Sequence, residues 1–299
     1  MIPHTSTPVW LQQPANARAA SRWSRTPDGC TVALLGLPDE TGVALNGGRP
    51  GAAGGPAAFR HAIARYGVAT PDGFAWPAVF DAGDIIPAPG SSAESLLQTH
   101  RRIHEATSAL LALNLFPIAV GGGHDLTLPF AGAVFDHFSK LRPDSRREVI
   151  YFDAHLDVRE TVGSGMPFRK LIESHGVTSL AIIGADPFAN AADHAAWFRA
   201  HGGTFASEPP PVHPGSIRTV SFDLDALDSS VAPGVSAINP CGLSMPTVDP
   251  QIRRLGADPT VRAFDIMELS PPHDADGRTA RIAARLFLSF LRGFAERAT

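Results

Sequence analysis

Six short apolar runs recur along the chain, and each is apolar on both of its faces. They are 31–38 (TVALLGLP), 116–123 (FPIAVGGG), 147–155 (REVIYFDAH), 178–186 (TSLAIIGAD), 217–225 (IRTVSFDLD) and 261–268 (VRAFDIME). A strand with one wet face alternates apolar and polar side chains, whereas a strand apolar on both faces needs a cover on each. Segments of helical spacing lie between the runs. Leu96, Ile103, Ala106 and Leu110 form one apolar stripe, and Ile282, Leu286, Phe290 and Phe294 form another. Strand and helix in alternation predict an α/β fold built on a parallel sheet. The Gly/Pro-rich segment 41–56 is expected to be a long loop ending at a helix start near Pro56. Residues 1–30 are polar and dotted with proline, and read as an N-terminal arm on a single domain spanning 1–299.

Composition narrows the partners. The 299 residues are 44% hydrophobic and 18% charged, as expected of a soluble globular enzyme. A formal net charge of -4 without any basic block argues against nucleic acid. No apolar run is long enough for a membrane span and the first thirty residues lack a signal-peptide core. The two cysteines, Cys30 and Cys241, suggest neither a disulfide framework nor a thiolate metal site, so a reducing cytoplasm is the expected compartment.

The polar residues that matter fall where these strands end. Three segments, GGGHDLTLP (121–129), DAHLD (153–157) and SFDLDALD (221–228), each follow an apolar run. Ligands of open parallel sheets bind beyond the carboxyl ends of the strands. Alternate residues of an extended segment point the same way, so Asp153 can converge with His155, and Asp223 with Asp225. Oxygen-rich donors with some imidazole suit hard or borderline divalent cations, Mn²⁺ better than a thiolate-preferring metal. Six ligands are too many for one ion that must keep a position open, and suffice for two ions if some carboxylates bridge. An isolated histidine is more often a hydrogen-bonded core residue than a ligand. It is the joint occurrence of the three segments at successive strand ends that carries the metal reading. The remaining histidines, among them His100, His104, His137 and His201, are expected at the surface.

In order and spacing, GGGHD, DAHLD and SFDLDALDSSVAP resemble the metal motifs of the ureohydrolase family of arginase, agmatinase and their relatives. The resemblance runs from about Val32 to the C-terminus. It implies a three-layer α/β/α arginase-like fold with a parallel sheet of about eight strands, two Mn²⁺ per subunit, and cleavage of a C–N bond in a guanidine or amidine. Carried over residue by residue, it gives one ion to His124, Asp153, Asp157 and Asp223, and the other to His155, Asp153, Asp223 and Asp225, with Asp153 and Asp223 bridging. Within the family, segments 39–60, 163–173, 186–194 and 232–237 are most similar to the branch that converts N-formimidoyl-L-glutamate to L-glutamate and formamide in histidine degradation. Ser164 stands where arginase-like members carry a histidine, which weakens the case for arginine as substrate. The resemblance also implies a trimer or hexamer.

The chemistry that goes with this reading is attack by a metal-held, ionised water. Asp157 is the expected proton relay to the departing amine. Glu268 is expected to pair with the amidinium, whose two N–H donors match a carboxylate. Arg169 is the expected partner of a substrate carboxylate, with Arg49 and Arg60 as weaker candidates and Asn46 at the mouth. The nearest alternative is an agmatine or guanidino-acid hydrolase releasing urea. A single-zinc deacetylase is disfavoured by the six-ligand set, and a metal-free binding protein by its completeness.

Overall fold

The structure is a computed structural model that describes residues 2–10, 15, 18–67, 69 and 74–297. In chain order its strands are β1 (Thr5–Ser6), β2 (Val32–Leu37), β3 (Val79–Ile85), β4 (Phe116–Gly121), β5 (Arg147–Phe152), β6 (Ser179–Ile183), β7 (Gly203–Ala206), β8 (Ile217–Asp223) and β9 (Val261–Met267). The helices are α1 (Thr41–Leu45), α2 (Gly55–Ile63), α3 (Ala93–Ala112), α4 (Thr127–Leu141), α5 (Pro167–His175), α6 (Ala192–Ala200), α7 (Met245–Ala257) and α8 (Arg278–Phe294). The strands make one sheet of nine in the order β1-β3-β2-β4-β9-β8-β5-β6-β7. Only the two-residue β1, at one edge, pairs antiparallel; every other pairing is parallel.

The two-faced strands are covered as their composition requires. Val32 and Leu34 of β2, Ile118 and Val120 of β4, and Ile150 and Phe152 of β5 pack on one side with α2, α7 and α8. Their sequence neighbours turn the other way: Ala33, Leu35 and Ala119 meet α3 and α4, while Val149 and Tyr151 meet α4 and α5. Helices therefore lie on both faces of the sheet, giving three layers. The stripe Leu96, Ile103, Ala106 and Leu110 is wholly buried along α3, whose start is held by a capping box between Ser92 and Ser95. On α8, Leu286 and Phe290 are fully buried while Ile282 and Phe294 are partly so. Each fully buried side chain of this size contributes about 1.5–3 kcal/mol of transfer free energy. Among the described residues, no helix is long and apolar enough to cross a membrane.

Several expectations need correction. Segment 41–56 is not all loop: it opens with α1 and contains a 3-10 turn at Ala52–Gly54. Strand β3 was not expected, because VFDAGDI carries two aspartates. Both are neutralised by the buried Arg60, whose Nη2 lies 2.9 Å from Asp81 and whose Nη1 lies 2.6 Å from Asp84. His100 is not at the surface but buried, with Nε2 2.7 Å from Asp125 Oδ2. The described part of the arm is docked: Thr5–Ser6 pairs with β3, Trp10 donates to Asp81 at 3.0 Å, and Trp23 packs on Phe287.

Candidate active site

Four adjacent strands in the middle of the sheet, β4, β9, β8 and β5, end at the same rim. His124 follows β4, Glu268 follows β9, Asp223 and Asp225 close β8, and Asp153, His155 and Asp157 follow β5. The glycines of GGGHD let β4 finish against the end of β2. Gly122 and Gly123 donate to the carbonyls of Leu37 and Asp39, and a Cβ on Gly122 would stand 1.8 Å from the Asp39 oxygen. No other residue fits that crossing.

The six candidate ligands form two groups. In the first, Nδ1 of His124 lies 3.1 Å from Asp153 Oδ2, 2.9 Å from Asp157 Oδ2 and 3.1 Å from Asp223 Oδ2. In the second, Nδ1 of His155 lies 3.0 Å from Asp225 Oδ2 and 3.5 Å from Asp153 Oδ1. Asp153 belongs to both groups. Asp223, expected to bridge as well, is grouped with the first, and its Oδ1 accepts from the Asp225 backbone N–H at 2.8 Å. The backbone orients the others too: Asp153 Oδ1 accepts from the His155 N–H at 2.6 Å. Behind the first group, His124 Nε2 meets the Ser221 hydroxyl at 3.0 Å, and Ser221 and Thr127 both reach Asp265.

The electrostatics are those of too many carboxylates in one dry place. Burial, then the charge of Asp157, pushes the Asp153 carboxyl up to about 6. Asp223 is raised well above the usual range by burial and by Asp225. Burial would depress His155, but Asp153 and Asp225 overcome it and push the imidazole up to about 12. His124 is likewise raised, against its burial, by the three carboxylates around it. Two atoms at the centre, His124 Nδ1 and Asp153 Oδ2, are buried and make no hydrogen bond with good geometry. Unpartnered polar atoms facing one another in a buried cluster are costly unless something neutralises them. Divalent cations bound by imidazole and carboxylate fit that description, whereas protons satisfy only part of the set.

A cleft of about 190 Å³ opens onto these groups. Glu268, buried, lines it: Oε1 accepts from the His124 N–H at 2.9 Å, and Oε2 has no hydrogen-bond partner among the described residues. Burial, with the Asp225 charge next, raises its carboxyl to about 8. Glu268 and Asp157 both hold left-handed backbone, at φ 66° and 47°. Non-glycine residues there carry strain, which collects at functional positions. Asn46 lines the wall, its amide donating to the Ser164 hydroxyl at 2.9 Å.

Arg169 is not brought to the cleft. On α5 its Nε bonds Glu173 at 2.8 Å, its guanidinium lies 4.9 Å from the Trp197 ring centroid, and Glu160 is 3.7 Å away. Helical i,i+4 spacing gave it a nearer carboxylate than any ligand would. Arg49 is spent on the carbonyls of Val235 and Ser236. The cleft instead presents Arg159, Asn190, His194 and Ser236, none of which was expected there. For Arg159 a signal existed, since it continues the alternation of Asp153, His155 and Asp157.

This arrangement, a parallel α/β/α sandwich whose central strand ends carry two linked His/Asp groups, defines a class of binuclear metallohydrolases. The chain belongs to the arginase family, whose sequence profile matches residues 30–208 and 215–292. Among similar proteins, the formimidoylglutamase of Ralstonia nicotianae is 33% identical, covering 96% of this chain and 90% of the relative. That of Aeromonas hydrophila is 31% identical, covering 93% and 95%. The crystal structure of Trypanosoma cruzi formiminoglutamase with Mn²⁺ superposes with a TM-score of 0.80 at 30% identity, covering 92% of this chain and 97% of that one.

Proposed function

We propose that the chain is a manganese-dependent hydrolase that cleaves N-formimidoyl-L-glutamate to L-glutamate and formamide. The activity named for its relatives supports the substrate, and the relatives above do not favour an agmatine or guanidino-acid hydrolase. The observation that carries the reading is the sharing of Asp153 by two groups at one cleft, which the buried Glu268 with its unpartnered Oε2 also lines.

His124, Asp153, Asp157 and Asp223 would hold one cation, and Asp153, His155 and Asp225 the other. Bound there, a pair of Mn²⁺ ions would supply the Lewis acidity that ionises water near neutral pH. Glu268 accepts the amidinium N–H groups with Oε2 while Oε1 stays on the His124 N–H. That contact holds the substrate cation against the site and keeps its carbon electron-poor. Water oxygen bonds to the formimidoyl carbon, and the bond from that carbon to the glutamate nitrogen breaks. The departing nitrogen needs a proton, and Asp157, on the cleft wall beside the first group, is placed to carry it there. Asn46 and Ser164 shape the wall.

The test is a manganese-loaded substrate panel of formimidoyl-glutamate, agmatine, guanidinobutyrate, guanidinopropionate and arginine. Formimidoyl-glutamate should have the highest kcat/KM. Preference for agmatine would overturn the substrate while sparing the metal site. The family expectation of a trimer or hexamer belongs to the same proposal, and sedentation in an analytical ultracentrifuge decides it.

A further inference from the structure

A doubly anionic substrate needs a cation at the cleft that the metal groups do not use. We propose that Arg159 is that group and reads a carboxylate of the substrate; the proposal deepens the functional reading above and rests on it. Arg159 is the only lysine or arginine among the residues lining the cleft. The other candidate arginines are committed elsewhere: Arg49 to two carbonyls, Arg60 to Asp81 and Asp84, and Arg169 to Glu173. Among the described residues, the Arg159 guanidinium has no acidic partner and no side-chain hydrogen bond, although four carboxylates of the ligand set lie in the same site.

Its stem is held while its head is free. The Arg159 backbone N–H donates to the Gly165 carbonyl at 2.7 Å, closing the loop 159–165. The side chain then runs across Gly165, where a Cβ would come 2.8 Å from Arg159 Cδ and 3.0 Å from Nε. The absence of a side chain at Gly165 thus makes room for the arginine on the cleft wall. Around it the wall offers neutral hydrogen-bonding groups, Asn46, Ser164, Asn190 and Ser236. A planar guanidinium left unpaired beside such groups matches a carboxylate through two parallel N–H donors, which a lysine cannot do.

The decisive probe is L-glutamate, which carries both carboxylates and lacks the amidine. Its dissociation constant from the manganese-loaded protein is measured by calorimetry for the wild type, Arg159→Met and Arg159→Lys. Formimidoyl-glutamate kinetics are run in parallel, with manganese content and Tm recorded. The methionine keeps the stem over Gly165, and the loop keeps its backbone bond. Arg159→Met should weaken L-glutamate about tenfold to a hundredfold, raise KM for formimidoyl-glutamate more than it lowers kcat, and leave both manganese ions and Tm unchanged. Arg159→Lys should fall between. A wild type that binds no L-glutamate, or an Arg159→Met protein that binds it as the wild type does, overturns the proposal while leaving turnover of formimidoyl-glutamate, and so the functional reading, intact. A wild type that fails to turn over formimidoyl-glutamate overturns the functional reading, and the L-glutamate titration still decides Arg159.

Discussion

The ring of His124 touches Ser221 with one nitrogen and three carboxylates with the other: Nε2 lies 3.0 Å from the Ser221 hydroxyl, and that hydroxyl lies 2.5 Å from Asp265 Oδ1. Asp265 is fully buried, with burial raising its carboxyl to about 6 against the bonds it accepts. As an acceptor, it draws the serine proton, so the serine oxygen is left to accept from Nε2–H. Once a cation displaces the Nδ1 proton, the Nδ1 lone pair points toward Asp153, Asp157 and Asp223, the orientation that cation needs.

Ser221→Ala removes that support without touching the first group itself. Outer partners of this kind are worth about 10–100-fold in metal affinity. Metal titration should show one of the two Mn²⁺ ions weakened by that factor and the other unchanged. Two sites that both titrate as in the wild type would mean that the serine only fills space.

Because Asp153 serves both groups, its loss should be felt twice. Elemental analysis of Asp153→Ala should find neither ion retained through gel filtration. His155→Ala should retain the first and lose the second. One ion per chain in the fully loaded wild type would contradict the paired arrangement.

The pH dependence has a definite sign. Asp153, Asp265, Glu268 and His155 all bind their protons more tightly when folded, at about 6, about 6, about 8 and about 12 against 3.8, 3.8, 4.5 and 6.5. The unfolded chain binds fewer protons at these groups, so they make the metal-free protein less stable as pH rises. The acids act between their unfolded and folded values, roughly pH 4 to 8, and His155 from about 6.5 upward. Cations replace those protons, and their affinity rises with pH. The rise in Tm on adding Mn²⁺ to chelator-treated protein should therefore be larger at pH 8 than at pH 6, with protons released on binding. A gain that shrinks toward pH 8 would reverse the sign and refute the account.

Glu268→Gln separates stability from activity. The glutamine keeps the bond from the His124 N–H and removes a buried charge that His124 offsets only in part. The metal-free variant should melt higher than the wild type above pH 8. Its kcat/KM should fall about thirtyfold to several thousandfold on every amidine or guanidine substrate, the cost of losing a charged partner in a desolvated site. A lower Tm together with lower activity would mark Glu268 as a structural residue.

What the sequence disclosed follows from how each residue is held. The six apolar runs mapped onto strands, each ending within three residues of the expected boundary, because covering both faces of a strand leaves an unmistakable composition. Strand β3 hid because its aspartates are answered by Arg60, about twenty residues away in sequence. His100 hid for the same reason, its partner Asp125 lying on another element. Asp153, His155 and Asp157 were legible as a cluster because they share one short segment; the distances that place Asp153 in both groups and Asp223 in the first come from the meeting of separate strands, which no spacing encodes. Arg169 misled because a guanidinium near a metal loop has no sequence signature for its direction, and Glu173 on the same helix claimed it.

The four central strand ends have a mechanical meaning as well. They are joined to one another in the chain by long excursions, and at the rim they present mutually repelling carboxylates. A cation gripped by His124 and Asp223 ties off a segment of about a hundred residues, a closure worth about 4–5 kcal/mol if it acted as a covalent cross-link does. Manganese would then be a removable rivet as much as a reagent. Stripped of it, the body of the sheet would keep the apolar layers on its two faces while the rim loosened first, so amide exchange should quicken at 122–126, 153–158 and 223–228 well before the strands behind them.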